Sequence, residues 1–109
     1  MKKSAAAAPK RLSAEARAWW RGLVAEFEIT DTAGRLILQT GCEAFDRMRG
    51  AQKAIETDGV TITDRWGQTK PHPLLPVERD ARAQMLATLK QLNLDIEPLR
   101  DRVGRPGGE

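Results

Sequence analysis

From Asp31 to Gly59 the chain reads DTAGRLILQTGCEAFDRMRGAQKAIETDG. No proline interrupts this stretch, and a glycine closes it. Ile37, Gly41, Ala44, Met48, Ala51 and Ile55 recur at alternating steps of four and three. That spacing places them on one helical face, as a heptad-like seam. Leu36, Leu38 and Phe45 widen the stripe. Thr30 or Asp31 supplies an N-cap, and Gly59 a C-terminal stop. The pattern predicts one helix of about 27 residues, roughly 40 Å long. Such a helix is marginal in water unless partners cover its length. Gly41, Ala44 and Ala51 keep the seam narrow, so another helix comes close. The seam has two possible uses: a helical hairpin within the chain, or packing between subunits through Ile37, Gly41, Ala44, Met48 and Ala51.

The flanks extend the helical reading. Ser13 is a good N-cap, and Ala16, Trp19, Trp20, Leu23, Val24 and Phe27 keep helical spacing over about residues 13–28. Both tryptophans are expected in the core, the alternative being that one meets a neighbouring subunit. After Gly59 the composition turns β-branched, with Val60-Thr61-Ile62-Thr63. Asp64-Arg65-Trp66-Gly67 then makes a turn, and Gln68-Thr69-Lys70 returns. A two-stranded hairpin is marginal alone and needs support from a helix or another subunit. Trp66, at its tip, is either a lid on the core or an exposed contact residue. Pro71-His72-Pro73 is a rigid connector. A third helix opens with Pro76 in its first turn and carries Val77, Ala81, Met85, Leu86, Leu89 and Leu92, with Asn93 as its cap. The expected fold class is mainly α: a helical hairpin with a long central helix, a short β-hairpin insert, a third helix, and ring-forming assembly. Residues 1–11 read as a flexible basic arm, 12–103 as one oligomerisation domain, and 104–109 as a disordered tail.

Composition narrows the function. The chain has 109 residues, enough for one small domain. Apolar residues make up 40% and charged residues 30%, which argues against a mainly disordered chain. No apolar run is long enough to span a membrane. The N-terminal segment runs into Lys10 and Arg11 without a long apolar stretch, so a secretion signal is not expected. With one cysteine, Cys42, a reducing cytoplasm is the expected location. Net charge is +3, from 18 basic and 15 acidic residues. Lys2, Lys3, Lys10 and Arg11 account for the excess: without them the balance is 14 against 15. A basic arm of this kind suits phosphate contacts that carry little sequence information, supported by Arg17 and Arg21 on the first helix. The bland alternative is a solvated tail.

Candidate chemistry is sparse. Cys42 lies mid-helix among apolar neighbours and reads as a small buried hydrophobe. His72, pinned between prolines, reads as a connector residue ahead of a ligand or base. Gly104-Arg105-Pro106-Gly107-Gly108 lacks the lysine and adjoining helix of a phosphate loop. No nucleophile–base pair is visible, no cofactor or metal is implied, and an enzyme is not expected.

The order of elements resembles the small terminase subunit of tailed bacteriophages, in the group found with the phage-like capsid genes of proteobacterial prophages. The likeness runs from Leu12 to Val103. Its carriers are Leu12-Ser13-Ala14-Glu15-Ala16 with Trp20, Ile29-Thr30-Asp31 ahead of the long helix, Glu43-Ala44-Phe45-Asp46-Arg47 within it, and Gly59 at its end. Gly67-Gln68-Thr69-Lys70-Pro71-His72-Pro73 and Leu92-Asn93-Leu94, leading to Pro98 and Arg100, complete them. The resemblance implies a non-enzymatic packaging factor of the bacterial host's cytoplasm. It would form a ring, bind double-stranded DNA with weak sequence preference, and hand it to the large terminase subunit, which carries the ATPase and nuclease. Nothing ahead of Leu12 forms a helix-turn-helix reading head. That departure suits a headful packager or a gene transfer agent. Leu99, Arg100, Arg102 and Val103 are the candidate large-subunit contact, with Trp66 a candidate at the subunit interface. The competing expectations are a helical protein-interaction module without DNA binding and, less well supported, a sequence-specific regulator.

Overall fold

A computed structural model of the chain describes residues 7–94. The element order is α1 (Ala14–Phe27), α2 (Thr32–Asp58), β1 (Thr61–Thr63), β2 (Thr69–Pro71) and α3 (Leu75–Gln91). This is the mainly helical arrangement that the periodicities predict, with the small hairpin inserted between α2 and α3.

Each boundary has a local cause. Ser13 caps α1, its Oγ accepting from the Ala16 N–H at 3.0 Å. Glu28 ends α1 in the left-handed region, φ 53°, and its N–H bonds the Val24 carbonyl. Ile29 donates to the same carbonyl at 3.1 Å and buries its side chain. Asp31 caps α2 through the Gly34 N–H at 2.8 Å. Gly59, φ 90°, stops it. The hairpin pairs Thr61 with Pro71, Ile62 with Lys70 and Thr63 with Thr69. Its turn is held by Asp64, whose Oδ1 accepts from the Trp66 and Gln68 N–H groups at 2.9 Å each. Gly67 takes the positive φ, 79°, that the turn requires.

The long helix is the spine. α3 returns antiparallel along it, with Arg47 reaching Gln84 and Gln52 reaching Glu78. α1 packs on the other flank. The core gathers Leu12, Ala16, Trp20, Val24 and Ile29 with Leu38, Cys42, Phe45 and Met48 of α2 and Ala81 of α3. Gly41 sits so close to α3 that a Cβ there would meet Thr88 Cγ2 at 2.5 Å. The small-residue seam therefore serves the hairpin within the chain: Gly41, Ala44, Met48 and Ala51 are all buried.

The expectation that both tryptophans lie in the core fails. Trp20 is buried, but Trp19 is 54% exposed, meeting Phe45 edge-on at 6.3 Å. Adjacent residues on a helix are about 100° apart, so two bulky indoles do not share one narrow face. The buried Trp20 Nε1 has no hydrogen-bond partner among the described residues.

His72 is more than a connector. It is 4% exposed, and Leu74 N–H donates to its Nδ1 at 3.0 Å. That bond makes Nδ1 an acceptor, so Nε2 carries the proton and donates to Asp58 at 2.9 Å. The His72 N–H also bonds Val60 O, and its carbonyl accepts from Leu75 N. One residue, through its imidazole and its backbone, thus ties the end of α2, the base of the hairpin and the start of α3.

Candidate functional site

Two of the described N-terminal cations, Arg11 and Arg17, are anchored. Arg11 pairs with Glu43 of α2 at 2.8 Å. The guanidinium holds the Glu43 carboxyl below its usual range, with Gln39 helping, and the carboxylate raises Arg11 in turn. Arg17 donates to the Lys10 and Leu12 carbonyls at 3.1 and 2.7 Å. Ser13 bonds Asp46 through both its N–H and its hydroxyl. Arg11, Ser13 and Arg17 therefore fasten the start of α1 to α2. Lys10 and Arg21 are exposed. Lys2 and Lys3 lie outside the described residues, as do Leu99, Arg100, Arg102 and Val103 of the large-subunit segment.

The candidate interface residues divide as well. Gly41, Ala44, Met48 and Ala51 are buried inside the protomer, Ile37 is half-buried, and Trp66 is 73% exposed. Trp66 stands at the hairpin tip beneath the Arg65 guanidinium, 4.9 Å from its ring centroid. Leu36, Val60, Val77 and Leu86 are also exposed, which corrects the apolar stripes read from spacing: Leu36 lies beyond the edge of α2 that α1 and α3 cover, and Val77 and Leu86 lie off the face of α3 that meets α2.

A groove of about 310 Å³ runs between α1 and α3 above α2. Trp19, Leu23 and Phe27 form one wall, Met85 and Leu89 the other, and Cys42 lies on the floor. Burial, with Asp46 and Glu43 nearby, pushes the Cys42 thiol up to about 11. This is an inert thiol, as its apolar neighbours suggest. Among the described residues no three His, Cys, Asp or Glu side chains gather as metal ligands, and no helix is long and apolar enough to cross a membrane.

A helical spine, a clamped N-terminal edge and an exposed aromatic hairpin make up the described fold. A family model described as phage terminase, small subunit, matches residues 16–108, and the chain belongs to that family. No curated protein and no solved structure matches it. The family supports a role in phage DNA packaging.

Proposed function

We propose that the protein is the oligomeric adaptor of a DNA-packaging machine in the bacterial cytoplasm. It binds double-stranded DNA with weak sequence preference, delivers it to the large terminase subunit and performs no catalysis itself. The observation that carries this proposal is the family match over residues 16–108. Subunits associate into a ring through the apolar side chains that the protomer leaves exposed, chiefly Leu36, Leu86 and Trp66. DNA phosphates are met by Lys2, Lys3, Lys10 and Arg21. Arg11, paired with Glu43, and Arg17, held on the Lys10 and Leu12 carbonyls with its charge intact, also fix that edge in place. The large subunit engages the segment with Leu99, Arg100, Arg102 and Val103.

The test is DNA affinity against salt. Replacing Lys2, Lys3 and Lys10 with alanine should weaken binding to every duplex alike and flatten the salt slope by roughly one unit for each phosphate no longer neutralised. Unchanged affinity, or strong preference for one sequence, would overturn the assignment. Deleting residues 99–109 should abolish stimulation of the large subunit's ATPase.

A further inference from the structure

We propose that the apolar groove between α1 and α3 receives the hairpin tip of the next copy of this chain, with Trp66 seated between its walls. This rests on the ring reading above and names the contact that closes the ring. A ring needs two different, complementary surfaces on each subunit, because a surface that pairs with itself stops at a dimer. The described residues offer one of each shape. The groove is concave, about 310 Å³, and walled by Trp19, Leu23, Phe27, Met85 and Leu89. Trp66 projects from a turn and is 73% exposed.

The two surfaces lie toward opposite ends of the α2–α3 pair, so the tip does not serve its own groove. Phe45 lines the groove, and α2 runs on to Asp58, about 20 Å further along the axis, before the hairpin begins. The hairpin also lacks support at home. β2 is exposed along its length and β1 at both ends. Two strands alone are marginal, and a neighbour's groove supplies the surface they need.

Charge and area favour this occupant. Trp19, Leu23 and Glu26 fall at i, i+4 and i+7 of α1, so the exposed Glu26 continues the groove wall as its rim. Arg65 is exposed beside Trp66, its guanidinium 4.9 Å from the ring centroid. With the indole in the groove, Arg65 faces the α1 rim and its acid, away from Lys90 on the α3 side. One aromatic side chain buries roughly 150–250 Å², well short of the ~800 Å² per partner of a standard interface. Such a contact is too small for an isolated pair and suits a closed ring, in which every subunit makes it twice.

The experiment captures the contact in the full chain, without DNA, and leaves Trp66 and the groove intact. Glu26→Cys and Arg65→Cys are introduced together in a Cys42→Ala background and treated with a short bis-maleimide. If Cys42→Ala fails to fold, the native cysteine is kept, since it is buried and lies below the rim. A denaturing gel should show a ladder at multiples of 12.1 kDa. Either substitution alone should leave the chain at its monomer position. Adding Trp66→Ala should lower the captured fraction roughly tenfold. No ladder overturns the proposal, as it would if the tip served DNA. A single-site variant that links to itself, or a ladder indifferent to Trp66→Ala, overturns it as well. Light scattering on the unsubstituted chain separates the two readings. A 12.1 kDa species removes the ring and this contact with it, whereas a larger mass without the ladder removes the contact alone.

Discussion

Gly41 shows how closely one residue is fitted. Alanine favours a helix interior over glycine by about 1 kcal/mol, so propensity alone predicts that Gly41→Ala stabilises α2. The site predicts the reverse. The added methyl would stand 2.5 Å from Thr88 Cγ2, and crowding of that kind costs roughly 1–3 kcal/mol. Chemical denaturation should show a net drop in stability, eased but not abolished by Thr88→Ser, which removes Cγ2 but leaves Cβ at 2.9 Å. Cys42, one position on, gives a pH signature. Its thiol is raised from 9.0 to about 11 by burial. An unfolded chain loses that proton first, so the stabilising difference is complete below about pH 9 and is lost as pH rises to about 11. Thermal unfolding at about pH 8 and about pH 10.5, either side of the unfolded thiol's range, should show a smaller drop for Cys42→Ala than for the native chain. The burial of Cys42 was legible in its apolar neighbours. The exposure of Trp19 was not, because two adjacent indoles look equally apolar until the width of the packed face is known.

At the scale of elements, the junction at His72 holds the architecture together. The imidazole accepts from Leu74 and donates to Asp58 while its backbone bonds Val60 and Leu75. His72→Ala removes both side-chain bonds and leaves the Leu74 N–H without its partner, a cost of about 2–3 kcal/mol. Amide exchange should show the weakening first in the hairpin and the first turn of α3, with α1 unaffected. An equal fall in protection throughout would mean that the junction is not a local brace. The elements themselves were legible in the sequence. Ser13 and Asp31 cap as their types and positions predict, Gly67 takes positive φ, and the strands fall where β-branched residues cluster. His72's role was not, because proline neighbours announce a connector but say nothing of which carboxylate a distant helix end brings to it. Arg11 and Arg17 failed to announce their partners for the same reason. Spacing along one helix reveals a face, whereas Glu43 is set opposite Arg11 only by the packing of α1 on α2.

At the scale of the whole molecule, α2 is the spine on which the other elements are hung. Its small residues draw α3 close, and its outer residues and the hairpin tip are left exposed. The seam that suggested subunit packing is consumed inside the protomer, so the proposed assembly falls to the apolar side chains left outside it. A chain that uses its best helical seam internally and still displays Leu36, Leu86 and Trp66 has apolar area to share with its copies. Salt should weaken DNA binding while leaving that apolar assembly intact, since charge screening acts on phosphate contacts and not on buried methyl groups. The most direct test is the mass of the full chain by multi-angle light scattering at micromolar concentration and moderate salt. An adaptor built as proposed gives one species at a fixed multiple of 12.1 kDa, unchanged on dilution across the micromolar range. A single species at 12.1 kDa would contradict it.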